Sequence, residues 1–444
     1  MIISQILFSL LLVFVFSKAY KSYSKIYRNI NLGRPVKPFK NKDGLRNMVL
    51  IAFGQQKMFK RPIPAVLHLF IYVAFVITQF DLMEQIIDGL TGSHRVLSTW
   101  VGWFYPFMIS FIEVLSVLAF IATIIFLARR NLLRIPRLNS KELKGWAKTD
   151  ANLILLGEIL LITGIFCLNG ADKALEMNYP EKYHATGFFA INSWLGPMLF
   201  GHMPEYFLHV ISGFGWWLHI FVVFGFILYL PTSKHLHILL AFPNTYLTQN
   251  DPRGRMTNIE SIEAEVKGML GLPPDPVVEE TIADFGSHDI FQLTQKNLLE
   301  AYTCTECGRC TSVCPANITG KKLSPRKIMM DVRDRMQEVG KNLDNRAFTS
   351  QSGEIDNPIA YNDGRDLFSY IDKEEIRACT TCNACVESCP VLINPLDIIL
   401  QLRRYEVLTQ SSGPSDWVPM YTALENGGSP WQMSSERDAW AKEL

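Results

Sequence analysis

The sequence carries almost no net charge, and it has only a few of the residues that usually ligate metals. Its 444 residues include 43 lysine and arginine residues against 42 aspartate and glutamate residues, which gives a formal net charge of +1. A chain this close to neutrality has no overall attraction for a polyanion, so its charge gives no case for a nucleic-acid partner. Because only nine cysteines and nine histidines are present, their positions become informative.

Three motifs that would place a common type of active site on the chain are also missing. There is no G-x-G-x-x-G after a predicted strand, no phosphate-binding P-loop and no H-E-x-x-H zinc motif. The sequence therefore gives no sign of a dinucleotide site, a nucleotide site or a zinc-protease site.

Apolar residues make up 48% of the chain, and the first half holds most of them. A bilayer crossing needs about 20 mainly apolar residues, and stretches of this kind occur near residues 2–20, 64–80, 106–128, 151–168 and 206–230. The stretch 187–200 is interrupted by Pro197 and is predicted to lie at the membrane interface. The first stretch has no basic residue before it and no cleavage signal after it, so we expect a retained span.

Basic residues predict how these spans are oriented. They are concentrated at residues 25–61 and 129–148, between spans one and two and between spans three and four, whereas the alternate loops are mainly acidic. Basic loops stay on the cytoplasmic side. We therefore expect a multi-pass protein of the inner (cytoplasmic) membrane, with its N-terminus outside and its polar C-terminal half in the cytoplasm.

Eight of the nine cysteines form two identical C-x2-C-x2-C-x3-C-P runs, and only Cys167 lies elsewhere. The runs are Cys304, Cys307, Cys310 and Cys314, followed by Pro315, and Cys379, Cys382, Cys385 and Cys389, followed by Pro390. This is the spacing by which bacterial ferredoxins hold two 4Fe-4S clusters, with the fourth cysteine of each run reaching the other cluster. The sequence predicts one cluster on Cys304, Cys307, Cys310 and Cys389, and a second on Cys379, Cys382, Cys385 and Cys314.

The two runs could instead form zinc sites, hold a separate cluster each, or build a disulfide framework. Zinc ribbons use paired C-x2-C knuckles instead of four cysteines in eleven residues. Disulfides rarely persist in the cytoplasm. These considerations favour the two crossed clusters.

His219 and His237 lie eighteen residues apart at the end of the last apolar stretch. On an unbroken helix that spacing is about five turns, which would put both imidazoles on one face about 27 Å apart. A histidine within lipid needs a partner, and axial ligation of haem iron would supply one. Hydrogen bonds to neighbouring helices, or a headgroup-level position for His237, remain alternatives, and Pro231 is expected to kink or end the helix.

The membrane half resembles the cytochrome b (gamma) subunit of respiratory nitrate reductases, in its five spans and in the His219 and His237 pair. The soluble half resembles the twin-cluster module of heterodisulfide reductases, down to CPA and LSPRK after the first cysteine run. The combination is similar to the membrane electron-transfer flavoprotein:menaquinone oxidoreductase family. The resemblance covers nearly the whole chain.

The nitrate reductase resemblance implies further haem ligands on the second span, where that family has two histidines ten residues apart. His68 matches the first of them, and Thr78 stands in place of the second. The resemblance implies that His68 faces His237 at a haem b near the cytoplasmic side. His219 then lacks its partner: His209 and His94 are the first candidates, ahead of His202 and His184. A single haem, or pairing of His68 with His219, stays open, and His235 is expected at the surface or beside a haem propionate.

The fold predicted from these features is mainly α. A five-helix transmembrane cytochrome b bundle (1–246) is followed by a linker with an amphipathic helix (247–286), an α-helical ferredoxin-like domain with two 4Fe-4S clusters (287–410) and a C-terminal tail (411–444). Relatives of this kind continue into cysteine-rich CCG domains, which do not occur in these 444 residues. We therefore expect the catalytic site for the soluble substrate on a partner chain.

The function implied by the resemblance is electron transfer between a menaquinone-type quinone pool, through haem b, and a cytoplasmic redox partner, through the two clusters. The expected partner is a CCG, heterodisulfide reductase-like iron-sulfur subunit, such as one linked to electron-transfer flavoprotein. The alternative is a membrane anchor or assembly protein whose clusters are structural. The sequence leaves the direction of electron flow open and identifies no quinone-site residue.

Overall fold

The computed structural model describes residues 2–36, 42–133, 135–250, 252, 254–273, 285–345, 361–431 and 438–442. Parts of the first basic loop, of the predicted linker, of the predicted cluster domain and of the tail lie outside these ranges. Within them the chain is helical, and its β-structure is a single isolated bridge between Arg34 and Thr294. The predicted mainly α fold is confirmed.

The described residues of the first half form ten α-helices. They are α1 Ile2–Ile30, α2 Gly44–Asn47, α3 Pro62–Ile77, α4 Gln79–Thr91, α5 Val96–Val101, α6 Phe104–Asn131, α7 Trp146–Asn178, α8 Asn192–Phe200, α9 Glu205–Tyr229 and α10 His237–Tyr246. Five segments of the described chain are long and apolar enough to cross a membrane: Ile2–Ile30, Pro62–Thr91, Phe104–Asn131, Trp146–Asn178 and Glu205–Thr232. The five predicted apolar stretches are therefore confirmed as helical segments of membrane-spanning length, and the second consists of α3 and α4, which meet at Thr78.

Helices α7 and α9 approach each other closely because glycines line their contact. A Cβ atom on Gly164 would lie only 3.0 Å from the carbonyl oxygen of Gly215 and 3.0 Å from the backbone nitrogen of His219. Small residues allow this closeness in membrane bundles, where tight van der Waals packing helps to hold helices together. The backbone of His219 is thereby fixed against α7.

The fifth span does not continue as one helix to His237. Helix α9 ends at Tyr229, and two 3-10 turns, Leu230–Thr232 and Lys234–Leu236, lead to the start of α10. Pro231 lacks an amide hydrogen and disfavours a continuing helix, so the expected break is present. The calculation that put His219 and His237 on one face over five regular turns is wrong for this reason.

The second half adds nine α-helices within the described ranges. They are α11 Glu260–Met269, α12 Gln295–Thr303, α13 Pro315–Ile318, α14 Pro325–Asp344, α15 Lys373–Arg377, α16 Ala384–Ser388, α17 Pro395–Arg404, α18 Trp417–Gly427 and α19 Ala439–Lys442. Helix α14 ends at Asp344, and α18 forms within the segment predicted as the C-terminal tail.

One hydrophobic core joins the two halves. It contains Ile290, Leu298, Met336 and Ile398 from the second half together with Ile26 near the end of α1. Polar contacts extend this junction: the Asn29 amide donates to the Tyr302 hydroxyl at 2.9 Å, and Arg28 pairs with Asp344 at 2.5 Å. The cysteine-containing half is thus fixed to the end of the bundle that carries the basic loops.

Candidate metal centres

All nine cysteines are free of disulfide bonds, and the first cysteine run forms a tight loop after α12. Glu306 and Gly308 in this loop have positive φ angles of 54° and 69°. Adding a Cβ to Gly308 would bring it within 2.4 Å of the Arg326 guanidinium, so the loop needs glycine there for both conformation and space. Its thiols line a small cavity, whose cysteines are Cys304, Cys307, Cys310 and Cys389.

The remaining cysteines of the two runs form a second group. Burial raises the pKa of Cys385 to about 12, and the neighbouring thiols of Cys379, Cys314 and Cys382 contribute to the increase. In the first group, burial likewise raises the pKa of Cys389 to about 12, with Cys307 as the next cause. A buried thiolate is costly without a compensating cation, so such groups suit a bound metal or cluster.

Each group therefore takes three cysteines from one run and the fourth from the other. This is the crossed arrangement that the spacing predicts. The donor sets, four soft sulfur ligands each, fit two 4Fe-4S clusters, and the cluster assignment of each cysteine stays a prediction.

The first cysteine loop is seated on the loops of the membrane half. The Arg309 guanidinium donates to the carbonyl oxygens of Lys57 and Met58, each at 3.2 Å, and Arg137 donates to the carbonyl of Cys307. Arg326 is fully buried and pairs with Glu142 at 2.7 Å. From the sequence alone, Arg326 is a candidate for steering a redox partner, but its burial excludes contact with one.

His68 and His237 come together at the same end of the bundle. Their ring centroids are 6.4 Å apart and their planes differ by 41°. The Nδ1 atom of His68 lies 3.0 Å from the side-chain oxygen of Gln55, and Nδ1 of His237 lies 3.1 Å from the carbonyl oxygen of Lys234. Because both oxygens are acceptors, each Nδ1 carries the proton and each Nε2 retains a lone pair for a metal.

The donor set of this pair, two imidazoles that each keep a free Nε2, suits a haem iron, which would supply a one-electron redox centre here. The hydrogen bonds at Nδ1 are the usual outer support of metal-bound histidine. His68 and His237 thus fit the group that the resemblance implies, and haem ligation by them stays a prediction.

His219 has no such counterpart among the four histidines considered for it. It is 2% exposed, and the Gln85 side-chain nitrogen lies 3.5 Å from its Nδ1. His94 Nε2 lies 3.0 Å from Asp172, which also accepts a hydrogen bond from the Ser212 hydroxyl. Ser212 is seven residues, or about 10 Å along α9, from His219. His209 is three residues further from His219 than Ser212 is, and it contacts the Tyr183 hydroxyl. His184 and His202 are exposed.

Several buried groups were missed by the sequence analysis. Arg95 is 4% exposed and donates to Asp172 at 2.8 Å, to Asn169 at 2.6 Å and to the Tyr105 hydroxyl at 3.2 Å. The signal that could have identified this network is the presence of acidic residues, such as Asp172, within apolar stretches. His235, expected at the surface or beside a propionate, is half-buried and lines a cavity that His219 also lines, and a place beside a propionate stays a prediction.

Comparison with known proteins gives these features a family context. A 4Fe-4S dicluster domain family matches residues 303–393, which include both cysteine runs. The chain is 29% identical to the probable iron-sulfur-binding oxidoreductase FadF of Bacillus subtilis, over 90% of this chain and 55% of that protein. It is 26% identical to the EtfAB:quinone oxidoreductase of Syntrophomonas wolfei, over 89% of this chain and 53% of that protein.

A probable membrane-anchored ferredoxin of Chromohalobacter salexigens is 30% identical over 39% of this chain and 24% of that protein. No solved structure matches significantly. The chain spans about half the length of the first two relatives. Over most of its own length the chain is thus similar to FadF-like iron-sulfur oxidoreductases, and its 4Fe-4S dicluster domain follows five described segments of membrane-spanning length.

Proposed function

We propose that this protein is a membrane electron-transfer subunit that connects a cytoplasmic redox partner to the quinone pool. Two 4Fe-4S clusters on the crossed cysteine groups and one haem b on His68 and His237 provide the one-electron steps. In this proposal residues 1–246 form the membrane domain, 247–286 the linker, 287–410 the cluster domain and 411–444 the tail. The basic loops of the membrane half support a cytoplasmic location for the cluster domain.

The observation that carries the proposal is the contact between the first cysteine loop and the segment that supports His68. Arg309, next to Cys310, binds the carbonyl oxygens of Lys57 and Met58. These residues follow Gln55, whose side chain holds His68. The first cluster site is therefore in direct contact with the segment that supports the histidine pair, and this closeness favours electron transfer between them.

The other cysteine group supports a direction of approach for the partner. Each group has two buried cysteines, but the second group also contains Cys382, the one exposed cysteine of the two runs. A redox partner docked on the cytoplasmic surface therefore reaches the second cluster first. The order of the sites is then second cluster, first cluster, histidine pair and membrane quinone.

The names of the relatives support the two ends of this route. The Syntrophomonas relative is an EtfAB:quinone oxidoreductase, and we propose the same classes of partner here: electron-transfer flavoprotein on the soluble side and a menaquinone-type quinone in the membrane. The reaction with the soluble substrate is assigned to a CCG, heterodisulfide reductase-like partner. With electron-transfer flavoprotein as donor, electrons run towards the quinone.

Optical spectra of the purified chain after reduction by dithionite test the proposal. We expect b-type haem bands, and about eight cluster irons per chain. His68→Ala and His237→Ala should each lose the haem bands and keep the cluster iron. His209→Ala, which changes a histidine outside the proposed pair, should keep both.

The rival function, a membrane anchor with structural clusters, predicts a different result. A visible spectrum that shows only the broad iron-sulfur absorption would support the anchor. Full haem absorbance in both the His68→Ala and His237→Ala variants would exclude the ligand pair proposed here.

A further inference from the structure

A cavity of about 300 Å³ lies within the bundle, between α3, α6, α7 and α9. Most of its wall is apolar. Its polar groups include Thr78 at the junction of α3 and α4, Ser116 on α6, Glu158 on α7 and His219 on α9. A concave, mainly apolar site with a few convergent polar groups is the usual form of a binding site for an organic ligand.

Glu158 is the most unusual residue of this wall. It lies in a membrane-length helix, and its Oε2 accepts a hydrogen bond from the Thr123 hydroxyl at 2.9 Å. The structure shows no cation paired with it among the described residues. An ionisable residue inside a membrane span is costly and is normally kept for function.

Glu158 and His219 stand at different depths of the same cavity. The backbone of His219 is level with Gly164 of α7. Glu158 lies six residues before Gly164, which is about 9 Å along the helix axis. A para-quinone that makes a hydrogen bond of about 2.8 Å at each carbonyl oxygen needs two partners at different depths, and these two residues provide them.

A quinone site needs a redox centre beside it and an opening to lipid, and the cavity adjoins both the histidine pair and the apolar surface. Ile71, one helical turn from His68, and Ile238, next to His237, both contribute to its wall. On the other side, the cavity-lining Phe75 and Leu239 are each 47% exposed on the apolar surface. A bound ligand would therefore touch the surroundings of the histidine pair and could extend an isoprenoid tail into lipid.

We propose that this cavity binds the head group of a membrane para-quinone, with Glu158 at one carbonyl oxygen and His219 at the other. This inference rests on the proposed function and adds the site at which electrons leave the chain. Reduction of the quinone to the quinol takes up two electrons, supplied in turn by the soluble donor through the chain's redox centres, and two protons. Glu158 gives one proton to the quinone carbonyl oxygen that it contacts and is then reprotonated from water. The other quinone carbonyl oxygen, bound by His219, takes the second proton from water.

Binding is tested with an azido-naphthoquinone, cross-linked by light to the intact purified chain and located by mass spectrometry of its peptides. We expect labels on α7 and at the junction of α3 and α4. Ala119→Leu fills the cavity from α6, where Ala119 is 5% exposed and lines the wall, and should strongly reduce labelling. Val114→Leu on the same helix, at a position 42% exposed towards lipid, should label as the unchanged chain does.

The proton-transfer role is tested by following how fast a naphthoquinone oxidises the reduced chain after the reductant has been removed. Glu158→Gln keeps the side chain's size but cannot give up a proton, so the rate should fall about 100-fold, as expected for loss of a general acid. Labelling, haem absorbance and cluster iron should not change. Glu181→Gln, in an exposed loop, is the matched control and should keep the rate.

Three outcomes would overturn the site assignment. The first is unchanged labelling in Ala119→Leu with haem and iron intact, and the second is an unchanged rate in Glu158→Gln. The third is loss of about half the haem absorbance in His219→Ala, which would make the cavity a second haem site. If the unchanged chain carries haem but no quinone oxidises it, the proposed function itself fails. The two failures are therefore distinguishable.

Discussion

At the scale of single residues, Lys234 has an unusual position because it joins the two halves through a buried ion pair. Its Nζ lies 2.5 Å from Glu306, 2.6 Å from the carbonyl oxygen of Ala147 and 3.8 Å from Asp150. Glu306 lies between two cysteines of the first run and also pairs with Arg333 at 2.9 Å. The ion pair therefore fixes the first cysteine loop against the membrane half.

We expect Lys234→Met to destabilise the attachment of that loop. Removing one partner of a buried ion pair typically costs about 3–5 kcal/mol, and the low end of this range applies because Arg333 remains beside Glu306. The measurement is the temperature at which cluster absorbance is lost. Lys322→Met, which removes an exposed ion pair with Glu374, is the control, and equal melting of the two variants would contradict the structural role of Lys234.

The two cysteine groups that the structure brings together could be predicted from sequence, whereas Lys234, Glu158 and Arg95 could not be assigned roles. Three cysteines of each group share one short loop, because the chemistry of a cluster calls for such a loop, and the ferredoxin spacing takes the fourth from the other run. The partner of Lys234 is 72 residues away, and Arg95 binds Asp172 at a separation of 77 residues. Pairings of this kind depend on how helices pack, which periodicity alone does not determine.

At the scale of elements, the connection between α9 and α10 positions His237, and Asp150 of α7 organises it. Its carboxylate accepts hydrogen bonds from the Tyr229 hydroxyl at 2.6 Å, from the Ser233 hydroxyl at 2.7 Å and from the backbone amide of Lys234 at 3.2 Å. These contacts hold the two 3-10 turns that replace the regular helix. Asp150 is thus a positioning residue for the proposed haem ligand.

Asp150→Ala should loosen those turns and reduce haem binding at His237. Hydrogen bonds to a charged group contribute about 1.5–3 kcal/mol each. The free energy lost with three of them therefore exceeds what small rearrangements of nearby side chains can recover. The readouts are haem content per chain and the redox midpoint of the haem bands. Asp150→Asn, which keeps one acceptor oxygen, should retain more haem, and Thr149→Ala on the exposed side of the same helix should behave as the unchanged chain. Identical midpoints for Asp150→Ala and the unchanged chain would show that these turns do not position the ligand.

The helical segments could be predicted where the local sequence pattern determines them, but not where contacts between distant residues do. The apolar stretches predicted all five membrane-length segments. Pro231 predicted a break after α9, but the path beyond the break depends on Asp150, some eighty residues earlier. The second span is interrupted at Thr78, where no proline or glycine in the sequence indicates a break. This interruption lies at the cavity wall, to which Thr78 contributes.

At the scale of the whole molecule, the crossed cysteine groups relate sequence order to the order of redox sites proposed above. Cys314 belongs to the first run but lies with the exposed Cys382, and Cys389 belongs to the second run but lies with Cys304 and Cys307. In the proposed route, a soluble partner and the histidine pair face different clusters. Each proposed cluster takes ligands from both runs, which ties the folding of one run to that of the other.

This arrangement predicts opposite outcomes for two alanine variants. Cys314→Ala should destabilise the exposed cluster, so the iron that remains should resist an added iron chelator. Cys389→Ala should destabilise the buried cluster, and its remaining iron should be lost rapidly to the chelator because exposure of Cys382 leaves the surviving cluster accessible. Cys167→Ala, which changes the one cysteine outside the runs, should keep about eight cluster irons. If instead Cys314→Ala leaves the chelator-sensitive cluster intact, each run binds its own cluster, and the order of electron transfer proposed here loses its structural basis.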